Sequence, residues 1–207
     1  MLLAAPHLCS PAGAVPETQC YHATEAKMAT TARRTATEDD LRSMPRDGRK
    51  YELVDGQIRV SPTGARHGLI IIELASRLQG FVKRRTLGYV FDSSTGFRLP
   101  KGNVRSPDVS FVARGRFKGE TVPKGFIPFP PDLAVEVLSP EDRPRFVLDK
   151  VGEYLDAGVR MVWVLDPEAR SAAVYRSLTE VRTLAQKDQL TGEDVLPGFR
   201  CRLRDAR

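Results

Sequence analysis

Two acids stand where acids are costly. Glu136 lies in DLAVEVL (132–138), which is apolar apart from that residue between Leu133 and Leu138, the pattern of a central strand covered on both sides. Strand alternation groups Leu133, Val135 and Val137 on one face and Ala134, Glu136 and Leu138 on the other. A carboxylate buried there needs a cation, a metal ion or a proton, because an unpaired buried charge is strongly unfavourable. The plainer alternative is a glutamate at the strand's end that meets solvent or an arginine. Asp108, in SPDVSFV, shares a side with Ser110 while Val109 and Phe111 face the other way. A lone Pro-Asp is more often a turn or a cap. Two carboxylates on adjacent strands, with water and a phosphate, make an oxygen-rich site of the kind Mg²⁺ takes.

Three further residues could join them. Lys150 sits on a helical stretch, one turn from both Val147 and Tyr154, so its ammonium can swing toward the sheet. Otherwise it is a solvated helix lysine. Glu52, in YELVDG, faces opposite Tyr51 and Leu53. Standing alone it reads as an exposed hairpin residue. His67 follows Ser61-Pro62 at the start of a helix; it caps, binds phosphate, or is simply structural. Trp163 and Tyr154 read as core. A Gly-rich dinucleotide turn, a Walker loop and a GxSxG elbow are all absent, which disfavours nucleotide-dependent and serine-nucleophile chemistry.

The elements that must carry these residues follow from periodicity and turn residues. TATEDDLRSMP reads as a short helix capped by Thr37. YELVDGQIRV is a hairpin turning at Asp55-Gly56. Residues 66–85 form an amphipathic helix with Ile71, Leu74, Leu78 and Phe81 at helical spacing, ending in Lys83, Arg84 and Arg85, which suit its dipole. One or two strands in GYVFDSSTGFRLP and the strand 107–113 come next, then a Gly/Pro-rich loop over 114–131 and the central strand 132–138. A second helix spans 144–157, with Gly158 as its C-cap. RMVWVLDP and AAVYRS form a strand pair, and LPGFRCRL contains a last short strand. The order predicts one α/β (α+β) domain, a mixed sheet with helices on its faces.

Composition bounds the rest. The chain has 207 residues, 41% of them hydrophobic, with a net charge of +6. That is enough for a core, and the charge leans toward a polyanionic partner. No apolar run is long enough to span a membrane. Three cysteines, at 9, 20 and 201, have no metal-ligand spacing and no complete disulfide pairing, which suits a reducing cytoplasm. Residues 1–27 lack both a basic start and an unbroken apolar run. They are expected to be a disordered or misannotated extension, with residues 28–207 as the domain.

Taken together, YELVDG followed by Ser-Pro and His67, RSPDVSFV, PDLAVEVLSPEDR, a helix with lysine and YLDAGV, and VWVLDP resemble the Uma-type restriction-endonuclease family. The resemblance covers about residues 37–203. That family belongs to the restriction-endonuclease-like superfamily with the PD-(D/E)xK signature. The resemblance implies a central mixed sheet with a helix on either side. It implies that Asp108 and Glu136, with the Val137 carbonyl, ligate Mg²⁺ or Mn²⁺, and that Glu52 lies beside the site, holding a second metal or its water. The signature's lysine position holds Leu138 here, and Lys150 on the next helix takes the lysine's place. The implied activity is metal-dependent hydrolysis of DNA phosphodiester bonds, with nucleic acid as partner and a homodimer as the assembly to test. His67, Arg98, Arg105, Lys83, Arg84 and Arg85 are the expected nucleic-acid contacts. The alternatives are a nucleic-acid-binding module with little or no catalysis, and a regulatory protein on the same scaffold.

Overall fold

The structure is a computed structural model, and it describes residues 35–61 and 64–205. The expectation about residues 1–27 falls outside them. α1 (Glu38–Arg42) is short and begins with a reciprocal cap: Asp40 N–H donates to Thr37 Oγ1, and the Asp40 carboxylate accepts from Thr37 N–H. β1 (Lys50–Val54) and β2 (Gln57–Ser61) form the expected hairpin. Both turn residues have positive φ, 49° at Asp55 and 69° at Gly56, as a two-residue hairpin turn demands.

α2 (Ala65–Arg85) follows. Then come β3 (Gly88–Asp92), β4 (Phe97–Arg98), β5 (Val104–Arg105) and β6 (Val109–Ala113). β7 (Leu133–Val137) leads into α3 (Pro144–Asp156) and β8 (Met161–Asp166). β9 (Ser171–Tyr175), β10 (Val181–Leu184), β11 (Gln189–Thr191) and β12 (Arg200–Arg202) complete the chain. The main sheet has the order β10-β9-β8-β7-β6-β3, and β7 and β8 are its parallel pair, joined through α3. A smaller sheet runs β2-β1-β5-β4, and β11 pairs with β12.

The two helices cover opposite faces of the main sheet. Ile70, Leu74, Leu78 and Val82 of α2 pack with Leu133, Val135 and Val137 of β7 and with Trp163. Val151 and Tyr154 of α3 pack with Ala134, Val162 and Val164. Each fully buried aliphatic side chain here contributes about 1.5–3 kcal/mol. The buried stripe of α2 runs through Ile70 and Val82 rather than Ile71 and Phe81. Those two pack partly buried at its margin, because the 100° turn per residue sets them to the side of the i, i+4 row made by Ile70, Leu74, Leu78 and Val82. Alternation along β7 therefore holds as read, and it aims Glu136 at the α3 side.

Candidate active site

Antiparallel and parallel pairing bring the start of β6, the end of β7 and the end of β8 to one edge of the sheet. Asp108 and Glu136 meet there. Asp108 is tied to β7 at both ends. Its N–H donates to the Val135 carbonyl at 3.0 Å, and its Oδ2 accepts from Val137 N–H at 2.9 Å. Lys50 Nζ reaches Asp108 Oδ1 at 2.8 Å. His67, at the start of α2, places Nε2 2.8 Å from the Val137 carbonyl and 3.2 Å from Asp108 Oδ2. Both neighbours are acceptors, so Nε2 carries the hydrogen. His67 Nδ1 is buried without a partner.

Glu136 is held from α3. Its Oε1 accepts from Tyr154 Oη–H at 2.7 Å and from Lys150 Nζ at 2.9 Å. Among the described residues nothing donates to Oε2. Lys150 lies between two acids, because it also stands 3.3 Å from Glu52 Oε1. Glu52 is fully engaged: Oε1 accepts Ser106 N–H at 2.8 Å, and Oε2 meets Arg105 Nη1 at 3.3 Å. A ring of protein donors thus surrounds three buried carboxylates. They line an open cleft of about 300 Å³ whose mouth includes Arg59, Val60 and Phe146.

Electrostatics separates the acids. Burial pushes Asp108 up, but Lys50, the His67 hydrogen bond and Lys150 outweigh it and hold its carboxyl below the ordinary range. For Glu52 burial is likewise overcome, by Lys150, Lys50 and Arg105, and its pKa falls to about 2. In Glu136 burial wins over Lys150 and Lys50, helped by the nearby charges of Asp108 and Glu52, and its pKa rises. The hydrogen bond to Asp108 raises His67, against the opposing effect of its burial.

The donor set suits a hard cation. Asp108 Oδ2 and the Val137 carbonyl converge on one N–H of His67, so two oxygens are aimed at a common point. Glu136 Oε2 adds a third oxygen without a protein donor. Among the described residues no group of three His, Cys, Asp or Glu side chains forms a metal cluster. Mg²⁺ asks for less, one or two carboxylates with waters completing its shell. A cation seated there would displace the His67 N–H from Asp108.

Several expectations need correcting. Arg105 lines the cleft but is buried, and its guanidinium is engaged by Glu52 and Glu153, which braces the site. Glu52 lines the cleft and, with both oxygens engaged by protein donors, holds Lys150 in place. Arg98 points away from the cleft, with Nε and Nη2 each 2.7 Å from Glu38. Arg85 lies eighteen residues beyond His67 on α2, a span of about 27 Å, so Lys83, Arg84 and Arg85 sit at the helix's far end. Arg85 covers the Phe81 ring and donates to the Pro197 carbonyl. Asp108, Glu136, Lys150, His67 and the Val137 carbonyl do converge. The reading missed Lys50 and Tyr154. The alternation that set Glu52 apart from Tyr51 and Leu53 also places Lys50 on Glu52's side, and that was the available signal. No helix among the described residues is long and apolar enough to cross a membrane.

A crystal structure of a "putative nuclease belonging to DUF820" from Anabaena variabilis superposes with a TM-score of 0.71 at 21% identity, covering 82% of this chain and 96% of that one. At that identity the likeness speaks for the fold. No curated protein matches. Residues 38–204 match the Uma2 family, described as "Putative restriction endonuclease". With the match running through nearly all the described residues, the chain belongs to the Uma2 family, on a restriction-endonuclease-like fold.

Proposed function

We propose that the protein is a Mg²⁺- or Mn²⁺-dependent endonuclease that hydrolyses phosphodiester bonds of DNA. One observation carries the reading: Asp108, Glu136 and Lys150, from two strands and a helix, meet in one open cleft. Asp108, Glu136 and the Val137 carbonyl would hold the ion, which supplies Lewis-acid polarisation and a bound water of lowered pKa. Lys150 is kept in place by Glu52, and its ammonium can stabilise the charge that builds on the phosphate oxygens. Tyr154 holds Glu136 Oε1 so that Oε2 faces the cleft. His67 and Lys50 hold Asp108 when no other cation does.

The last point also favours a second reading, nucleic-acid binding without hydrolysis, since protein cations already balance Asp108. Plasmid nicking in Mg²⁺ or Mn²⁺ separates the two. The nuclease reading expects nicking by the wild type and none by Asp108→Ala. Equal nicking by both would place the activity elsewhere, in a contaminant or another site. Salt-sensitive DNA binding with no cleavage in either ion would favour the second reading.

A further inference from the structure

We propose that this cleft takes single-stranded or locally unpaired DNA, with a base stacked on the ring of Phe146. The inference rests on the nucleic-acid reading of the same cleft. Phe146 is 54% exposed in the first turn of α3, although the buried face of that helix begins one residue later. It lines the cleft that holds Asp108 and Glu136, and so does Val60, 47% exposed on the β1–β2 hairpin. Leaving an aromatic ring in water forgoes burial that would stabilise the fold, and among the described residues nothing covers it.

The surroundings say which partner. Arg143 and Arg145 flank Phe146 and are exposed, and Arg59 lines the cleft beside Val60. None of the three guanidiniums makes an ion pair or hydrogen bond among the described residues. Two acids, Glu141 and Asp142, also line the cleft. Asp142 is engaged by Ser139 N–H at 2.7 Å, so phosphates are expected on the arginine side. A flat ring in a cleft that also holds the unpaired guanidinium of Arg59, with two more exposed arginines next to it in sequence, is the arrangement that tracks a strand by stacking and charge. In a duplex the base faces are already stacked on one another. The ring therefore gains a base only from an unpaired strand.

The test is fluorescence anisotropy of the full-length protein in EDTA, with a labelled mixed-sequence 20-mer single strand of DNA and its duplex. The wild type is expected to prefer the single strand. Phe146→Ala should weaken single-strand binding about tenfold or more, with little effect on duplex, and Phe146→Trp should restore it. Arg145→Ala should weaken both and lower the salt slope by about one. Duplex preference by the wild type, or unchanged single-strand affinity in Phe146→Ala, overturns the proposal. So does a Phe146→Ala protein that only converts a dimer to a monomer in sedimentation, which would assign the ring to a subunit interface. Cleavage of the single strand at the wild-type rate by Phe146→Ala, at sub-saturating DNA in Mg²⁺, would sink this inference and leave the nuclease reading standing.

Discussion

Lys150 Nζ lies 2.9 Å from Glu136 Oε1, though the lysine belongs to α3 and the acid to the strand before it. In the proposed reading, the helix supplies the ammonium that the signature would place two residues after the acid. Replacing Lys150 with Met removes the charge and keeps most of the stem. Cleavage is expected to fall about a hundredfold or more, while the fold persists because Glu52 keeps Arg105 and Ser106. Single-turnover rates on a nicked-plasmid assay, with circular dichroism as control, check this. An unchanged rate would mean that Lys150 only neutralises Glu52.

Glu136 should cost stability. Its folded pKa is raised by burial, so ionising it disfavours the folded state, and the penalty appears as pH rises above the ordinary glutamate value of about 4.3. Glu136→Gln keeps the oxygen that accepts from Tyr154 and Lys150. The variant is expected to unfold at higher urea than the wild type at pH 8, with the gap closing toward pH 4, and to lose activity. A variant less stable at every pH would contradict a strained carboxylate.

Glu52 should behave in the opposite sense. Its folded pKa of about 2 lies below the unfolded value, so its contribution is complete above about pH 4.3 and is lost as pH falls toward 2. Glu52→Gln should be less stable at pH 7 by about 3–5 kcal/mol, because Arg105 and Lys150 lose a buried partner. It should also show a shallower loss between pH 4 and pH 2. Urea midpoints across that range measure both effects.

Arg105 links Glu52 to Glu153, and Glu153 Oε1 accepts from Asn103 Nδ2 at 2.6 Å. Asn103 in turn accepts from Asp55 N–H at 2.9 Å. Arg105→Met should therefore lower stability and cleavage with no change in the salt slope of DNA binding. A lower slope would show that Arg105 meets phosphate after all.

The strand and helix order, the hairpin at Asp55-Gly56 and the inward aim of Glu136 were legible because each rests on local periodicity or turn chemistry. Asp108 was legible only through its match with a second acid. The pairing of Arg105 with Glu153 was not legible, because a guanidinium on a short strand looks the same in sequence whether it faces solvent or a carboxylate. That distinction depends on α3 packing across the small sheet. Tyr154 was rightly placed in the core, but no spacing shows that its hydroxyl ends on Glu136. Lys50 lay within reach of the alternation argument, two residues from Glu52.

The claim that carries the rest is that Asp108 and Glu136 hold one divalent ion. Titration of Mn²⁺ followed by electron paramagnetic resonance measures it without any substrate. One bound ion in the wild type, lost in Asp108→Asn and competed off by Mg²⁺, is the expected result. Equal Mn²⁺ binding by both proteins, or none by either, would contradict the account.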